Sequence, residues 1–260
     1  MQKLIRSAIA MALVVAPAAA HAQAYKYTWP DSLPWPPIAT FSILGYDPAT
    51  GEVGGAVQSH VFSVGNGVLW AKAGVGVVAT QAIVDVGYGE KSLEYLAQGL
   101  SPDSVVKRVW NEDPDPRPKD WSKLGRQFAV MDAEGHVAVY TGPSAPDWAG
   151  HVIGVNCSAE GNILAGPQVP KAMVDAFEHT QGSLAMRLMA ALDAGEAAGG
   201  DKRGMQSAAM VIVKKDAGVW LHNDTVLRLQ VDDSPDPLKE LRRLVELGEK
   251  QQAQIRNQHQ

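Results

Sequence analysis

The sequence predicts an α+β fold: a four-layer α/β/β/α sandwich in which two antiparallel sheets lie between layers of helices. The predicted elements follow one another as strands, two helices, strands, two helices and strands, and a last helix ends the chain. A parallel sheet would require sustained alternation of strand and helix, which this order lacks. Hairpin turns at residues 47–51 and 133–135 favour antiparallel pairing of the strands that flank them.

The predicted strands are short runs rich in β-branched and other apolar residues. They cover residues 40–46, 52–59, 68–71, 74–80, 126–132, 136–141, 206–214 and 226–231. Glycine-containing stretches interrupt the chain between them. We therefore expect loops at Trp148–Gly150, at Gly161–Asn162 and over the glycine-rich residues 195–204.

The predicted helices show apolar residues at helical spacing or clear end signals. They cover residues 91–98, 101–110, 170–180, 183–194 and 237–252. The second helix has the clearest start, because Ser101 suits the N-cap, Pro102 suits the first turn and Asp103 complements the helix dipole. Gly99 suits the C′ position after the first helix.

The amino-terminal segment has the three zones of a secretory signal peptide. Lys3 and Arg6 form a basic region, residues 8–15 are apolar, and residues 18–24 are mostly small. The apolar run is too short to cross a bilayer, and no later stretch reaches the roughly 20 apolar residues that a membrane helix needs. We therefore expect a signal peptide over residues 1–22, cleaved after residue 22 or 24, and a periplasmic or secreted protein without a membrane span.

Three further regions follow the signal peptide. Residues 23–39 are so rich in proline and aromatic residues that they predict an extended arm rather than a helix or a central strand. This arm either packs on its own domain or is a propeptide that covers a site. One domain over residues 40–245 comes next, and a charged helical tail over residues 246–260 ends the chain.

Composition and motifs exclude several classes of function. The 260-residue chain has a formal net charge of -5 and no basic block, which argues against a nucleic-acid partner. Cys157 is the single cysteine, so no intramolecular disulfide forms; it suits a buried apolar position or a reactive thiol. Dinucleotide, P-loop, zincin and nucleophile-elbow motifs are missing, and the histidines lack metal-ligand spacing. We expect no cofactor and no metal; a homo-oligomer is compatible with the sequence.

Polar residues in apolar or glycine-rich surroundings form a candidate small-molecule site. Each of them alone also suits a structural role, such as satisfying a strand end, facing solvent or making a turn. Their concentration at strand ends and in glycine-rich loops, where backbone approaches a ligand closely, favours a site. The residues are Ser59, His60, Lys72, Gln81, Asn162, Asp201, Arg203 and Gln206.

Four segments of the chain resemble the DUF1028 family. They are residues 40–52, which begin TFSI, residues 70–81 (WAKAGVGVVATQ), residues 161–167 (GNILAGP) and residues 198–208 (AGGDKRGMQSA). The resemblance spans roughly residues 39–245. That family is of unassigned function and is similar to the N-terminal-nucleophile (Ntn) hydrolases, whose fold is the sandwich predicted above.

The resemblance implies a nucleophile at the first mature residue, with that residue's own α-amine as general base. An α-amine titrates near neutrality, so it can accept the hydroxyl proton. The matching residue is Thr40, and Lys72 would favour its deprotonation electrostatically. The resemblance gives substrate-binding or oxyanion-binding roles to Ser59, His60, Gln81, Asn162, Asp201, Arg203 and Gln206, although Asp201 and Arg203 also suit a structural pair with each other.

The sequence departs from the family pattern at three places. Thr40 follows a signal peptide and an arm, so a free α-amine requires a second cut between Ala39 and Thr40; self-processing is the usual route in exported Ntn hydrolases. Glu160 stands where glutamine is expected, and His60 stands where arginine is common. Both replacements change the expected substrate preference.

We therefore expect an exported Ntn-type hydrolase that cleaves an amide C–N bond of a small molecule through Thr40. Two alternatives remain open. The first is a non-catalytic periplasmic protein that binds a small molecule in the same pocket. The second is a structural protein that binds a partner through its arm and its carboxyl-terminal helix. In both alternatives Thr40 only opens a strand, as β-branched residues often do.

Overall fold

The computed structural model describes residue 38 and residues 40–258. The predicted signal peptide and the arm apart from Ile38 lie outside these residues. Ten strands are described: β1 (Thr40–Asp47), β2 (Glu52–Ser59), β3 (Leu69–Lys72), β4 (Gly76–Ala82), β5 (Arg126–Asp132), β6 (Val137–Thr141), β7 (Ala149–Gly154), β8 (Cys157–Asn162), β9 (Ser207–Val213) and β10 (Thr225–Val231). The described helices are α1 (Gly87–Ala97), α2 (Pro102–Glu112), α3 (Gln168–His179), α4 (Leu184–Ala197) and α5 (Pro237–Gln258).

The strands form two antiparallel sheets that pack face to face. The first is six-stranded, in the order β10-β9-β2-β1-β8-β7, and the second is four-stranded, in the order β3-β4-β5-β6. Helices α3, α4 and α5 pack on the outside of the six-stranded sheet, and α1 and α2 pack on the outside of the four-stranded sheet. The predicted α+β sandwich with two antiparallel sheets is therefore confirmed.

Apolar side chains fill each of the spaces between the layers. Because successive side chains of a strand point to opposite faces, one strand contributes to two cores. On β1, Phe41 and Ile43 pack towards α3 and α4, whereas Leu44 packs towards the four-stranded sheet. A third cluster, which includes Phe128 and Val105, joins the four-stranded sheet to α1 and α2.

The predictions of loops at Trp148–Gly150 and Gly161–Asn162 are wrong for most of these residues. Residues 149–154 and 157–162 are strands β7 and β8, paired antiparallel with each other. Strand β8 reads CSAEGN and is buried along its whole length. The sequence pattern hides it because the inward-facing positions of this strand are polar and bind one another rather than packing as apolar residues.

Most helix boundaries lie within two residues of the predicted ones, but α4 ends at Ala197 rather than at 194, inside the predicted loop, and α5 ends at Gln258 rather than at 252. The N-cap at Ser101 is present, since its Oγ accepts from the Ser104 N–H. Helix α1 starts at Gly87 rather than at Lys91. Glycine has a low helix propensity, so the sequence does not predict this first turn. The turn forms because Gly89 packs directly against the Trp70 ring. Helix α5 continues without a break across the predicted domain boundary at residues 245/246.

No helix within residues 38 and 40–258 is both long enough and apolar enough to span a membrane.

Candidate functional site

The space between the two sheets changes from apolar to polar along the strands. At one end it is filled by Val57, Val77, Ala79 and other apolar residues. At the other end the same faces of the strands carry hydroxyl, amide and carboxyl groups, which we call the polar end. Its members are Thr40, Ser42, Ser59, Gln81, Gln127, Ser158, Glu160 and Asn162, and all of them are buried.

Thr40 is the first residue of β1 and lies at the edge of the polar end. It is fully buried and pairs with Ser59 of β2. Just before it, Ile38 makes a two-hydrogen-bond bridge to Ala82, the last residue of β4. Ile38, two residues before Thr40, is therefore held against the four-stranded sheet.

Three donors converge on the carbonyl oxygen of Ile38. They are the backbone N–H of Ala82 at 3.0 Å, the hydroxyl of Thr40 at 3.2 Å and the side-chain amide of Asn162 at 3.3 Å. Donors clustered in this way can hold a carbonyl oxygen and stabilise negative charge that develops on it.

Left-handed backbone occurs at one of these donors, Ala82, and at the residue after another, Asn162. Ala82 has a φ of 64°, and Ile163, which follows Asn162, has a φ of 55°. Side chains with a Cβ rarely adopt this left-handed region, and a β-branched residue does so least readily. Strain of this kind is concentrated at functional sites, where the surrounding structure holds it in place.

Asn162 has one amide atom engaged and one free. Its nitrogen donates to Ile38 and, at 3.1 Å, to Gln127 Oε1. Its oxygen is buried and has no hydrogen-bond partner in the described part of the chain. A buried acceptor without a donor costs about 1–3 kcal/mol, so this oxygen is a ready acceptor for a further donor.

The carboxyl group of Glu160 lies deeper in the polar end. It is fully buried and contacts the hydroxyls of Ser42 at 2.7 Å and Ser158 at 3.3 Å. Burial raises the pKa of Glu160 to about 8, because ionisation would place a charge in a region with little solvent.

The loop over residues 201–206 forms one side of the site. The backbone N–H of Gln206 donates to the Ser59 carbonyl at 2.9 Å, which fixes this loop beside β2. Asp201 is buried and forms a double hydrogen bond with the guanidinium of Arg203, so the structural pairing considered for these two residues is present. His60 is exposed, 3.3 Å from the Met205 carbonyl.

Most of the sequence-predicted residues come together here. Ser59, Gln81 and Asn162 belong to the polar end, and His60, Asp201 and Arg203 lie at its margin by the contacts just given. Gln206 also lies in this loop, but its half-buried side chain turns to Asp233, to which its amide donates at 3.0 Å.

Lys72 is the exception, and its predicted place beside Thr40 is wrong. It pairs with Gly76, at the opposite end of β4 from Ala82. These two ends of the seven-residue strand are about 20 Å apart. Lys72 is exposed and lines a groove of about 450 Å³ together with Glu90 and Arg228. The sequence indicates the strand correctly but does not reveal which of its ends faces Thr40.

Sequence reasoning gave no role to Ser42 or Gln127, and none to Glu160 beyond its departure from the family pattern. These residues could have been found from the two-residue periodicity of the strands. Thr40 and Ser42 precede Leu44 on one face of β1, and Gln127 precedes Ala129 and Met131 on one face of β5. Polar residues that continue an apolar face at intervals of two indicate a buried polar cluster.

A second buried polar cluster lies on the other side of the four-stranded sheet. Arg126 Nε is 3.2 Å from Asp113 Oδ2, and the Tyr88 hydroxyl donates to the same oxygen at 2.6 Å. Burial by itself would raise the pKa of Asp113, but the hydrogen bonds from Tyr88 and the Asp115 N–H, together with Arg126, lower it. These residues anchor the loop after α2 to β5.

The fold and the site together define a four-layer α/β/β/α protein with a buried polar cluster at one end of the space between its sheets. Residues 40–241 match the model of a family of unknown function, DUF1028, and the chain belongs to this family. A crystal structure of protein SPO2555 from Silicibacter pomeroyi, of the same family, is 33% identical and superposes with a TM-score of 0.71. That match covers 80% of this chain and 88% of the other. No curated protein matches the chain.

Proposed function

We propose that this protein is an exported Ntn-type hydrolase that cleaves an amide C–N bond with Thr40 after the preceding segment is removed. The observation that carries the proposal is the convergence of Ala82 N–H, Thr40 Oγ1 and Asn162 Nδ2 on one carbonyl oxygen. In the intact chain that oxygen belongs to Ile38. Once the segment has left, the carbonyl of a substrate takes its place.

The reaction then follows from the groups that remain. The Thr40 hydroxyl attacks the amide carbon, and its proton passes to the Thr40 α-amine. The Ala82 N–H and the Asn162 amide donate to the oxygen that becomes negative. The C–N bond breaks as the amine leaves with the proton, and water hydrolyses the resulting ester to free Thr40.

Asn162 has a second role in this scheme. Phe41 pairs with Gly161, so Thr40 and Asn162 are neighbours one step further along the same two strands. The unpartnered Asn162 oxygen is buried there. The α-amine released at Thr40 is a donor of the required kind, and accepting from it would hold the amine beside the hydroxyl.

Removal of the preceding segment is the first requirement of the proposal. The signal peptide takes the chain across the membrane. The Thr40 hydroxyl then attacks the Ala39 carbonyl carbon, the Ala39–Thr40 C–N bond breaks as the hydroxyl proton passes to the nitrogen, and water hydrolyses the resulting ester; the nitrogen becomes the free α-amine. The arm is thus a propeptide, and its carbonyl at Ile38 occupies the substrate position until then.

Self-cleavage provides a test that needs no knowledge of the substrate. The wild type and a Thr40→Ser variant, which keeps a hydroxyl, should both lose the segment before residue 40. A Thr40→Val variant matches threonine in shape and β-propensity but lacks the hydroxyl, so it should remain full length after signal removal. Cleavage of Thr40→Val at the wild-type rate would overturn the proposal.

A binding protein without catalysis is the second candidate. The two backbone hydrogen bonds between Ile38 and Ala82 favour it, because they tie Ile38 to the four-stranded sheet. In that case the α-amine never becomes free, and Thr40→Val changes neither the length of the mature chain nor its ligand binding.

A further inference from the structure

Glu160 is a fully buried carboxyl group that the proposed reaction does not use. The directions of the hydrogen bonds around it can be worked out in sequence, because backbone carbonyls accept and never donate. The hydrogen-bonded side chains that lead to Glu160 start at Gln127, three side chains away.

The orientation of Gln127 is set by the backbone. Its Nε2 lies 2.9 Å from the Gly161 carbonyl and 3.2 Å from the Gly150 carbonyl. Only the nitrogen of the amide can face these two acceptors, so the Gln127 oxygen must face the other way. That oxygen receives hydrogen bonds from Asn162 and, at 2.9 Å, from Gln81 Nε2.

The orientation of Gln81 follows from that of Gln127. Since its nitrogen donates to Gln127, its oxygen faces Ser42 at 2.8 Å. An amide oxygen cannot donate, so the hydroxyl hydrogen of Ser42 is committed to Gln81. Ser42 has no second hydrogen.

The contact between Ser42 and Glu160 therefore needs its hydrogen from Glu160. The two oxygens are 2.7 Å apart, a distance typical of a hydrogen bond between oxygens. If Glu160 were ionised, two acceptors would face each other at this distance in a buried site. We propose that Glu160 is a neutral carboxylic acid in the folded protein at neutral pH and donates the hydrogen bond that completes the chain Glu160–Ser42–Gln81–Gln127.

The charges around Glu160 agree with this assignment. It faces Ser42 on β1, His151 on β7, and Gln81, Gln127 and Thr141 of the four-stranded sheet. Of these only His151 can carry a charge, and desolvation lowers its pKa, which favours the neutral imidazole. The other acidic group on β8, Cys157, points to the helices, and burial raises its pKa to about 12.

A proton on Glu160 makes the polar end of the sandwich sensitive to pH. The pKa of Glu160 is near 8 when folded and near 4.5 when unfolded, so the folded state binds one more proton between these values. The contribution of Glu160 to the stability of the fold is therefore largest at low pH, and it falls as the pH rises from about 4.5 towards 8. Above that value Glu160 is ionised, and Ser42 can donate to only one of its two acceptors.

The test compares urea unfolding of the wild type and a Glu160→Gln variant from about pH 5 to pH 9. The amide of the variant donates to Ser42 as the acid does, but it does not ionise. We expect the folding equilibrium constant of the wild type to fall relative to that of the variant by up to about tenfold per pH unit below pH 8. The exposed Glu134→Gln variant is the control and should follow the wild type. A ratio of wild type to Glu160→Gln that does not change with pH would overturn the proposal.

A second measurement covers the case in which Glu160→Gln does not fold. Infrared difference spectra of the folded wild type should contain the carbonyl band of a buried, protonated carboxylic acid at about pH 7, and this band should disappear by about pH 10. A spectrum at about pH 7 with carboxylate bands alone contradicts the assignment.

Discussion

The side-chain nitrogen of Asn162 lies 3.3 Å from the carbonyl oxygen of Ile38. This contact joins a buried strand of the six-stranded sheet to the chain just ahead of Thr40. Because Ile38 is also bonded to Ala82, the same carbonyl connects both sheets one peptide bond ahead of the proposed cut.

Replacing Asn162 removes one of the donors to that carbonyl. We expect Asn162→Leu to slow self-cleavage before Thr40 by about 10²-fold, because its amide holds the Ile38 carbonyl and so positions the bond between Ala39 and Thr40. The rate is measured by following the full-length and shortened chains by mass after purification of the unprocessed form. The control is Gln254→Leu, which replaces an exposed amide near the carboxyl end of α5. Equal rates in the two variants would remove Asn162 from the site.

Lys72 provides a prediction of no effect. It lies about 20 Å from the polar end along β4, so Lys72→Met should change neither processing at Thr40 nor turnover of any amide substrate by more than about twofold. The measurement is the same mass assay at equal protein concentration. A tenfold loss would show that Lys72 acts on Thr40 in a way that the present geometry does not provide.

The buried ion pair between Arg126 and Asp113 predicts an asymmetric response to mutation. Arg126→Met leaves a buried, uncompensated carboxylate and should lower the free energy of unfolding by about 3–5 kcal/mol. The double variant Arg126→Met with Asp113→Leu removes both charges and should recover a large part of that loss. Urea unfolding near neutral pH measures both values, and equal losses in the two variants would contradict the prediction.

The same pair also predicts a dependence on acid. The pKa of Asp113 is lowered in the folded state, so the stability it contributes is present above the unfolded pKa of about 3.8 and is lost as pH falls through the folded value. In the double variant Asp113→Leu with Arg126→Met, this part of the loss of unfolding free energy at acid pH should disappear. If the free energy of unfolding of the double variant falls with acid as steeply as that of the wild type, the prediction is wrong.

Gly89 allows α1 to pack on β3. A Cβ at this position would lie 2.2 Å from the Trp70 ring, so Gly89→Ala should destabilise the fold by about 1–3 kcal/mol despite the better helix propensity of alanine. Gly67→Ala is the matched control, since its Cβ would meet its nearest neighbour at 3.4 Å. Thermal or urea unfolding of both variants decides the point, and a stable Gly89→Ala would refute the packing argument.

The layer architecture was predictable because apolar residues recur at regular strand or helix spacing in most of the elements. The hairpins on either side of residues 47–51 and 133–135 and the N-cap at Ser101 carry local signals, and these elements occur as predicted. Strand β8 carries no such signal, because Ser158, Glu160 and Asn162 fill its inward face with polar groups. Their partners come from β1, β4 and β5, and no local pattern reveals pairings over such long separations.

The candidate site was predictable as a set of residue types but not as a geometry. Ser59 and Gln81 lie at strand ends, as predicted, whereas Asn162, predicted in a loop, is the last residue of β8. Lys72 also lies at a strand end, but at the opposite one, because the direction and register of β3 depend on its partner strand. One donor to the Ile38 carbonyl is Ala82, whose backbone is left-handed. Alanine rarely adopts this conformation, so the sequence does not predict it.

The amino-terminal residue of the mature protein tests the central claim most directly. The protein should be purified from the compartment to which it is exported and analysed by intact mass and terminal sequencing. The account predicts a chain that begins at Thr40, with its α-amine free. A mature chain that begins at Gln23 or Tyr25 and retains the arm would contradict it.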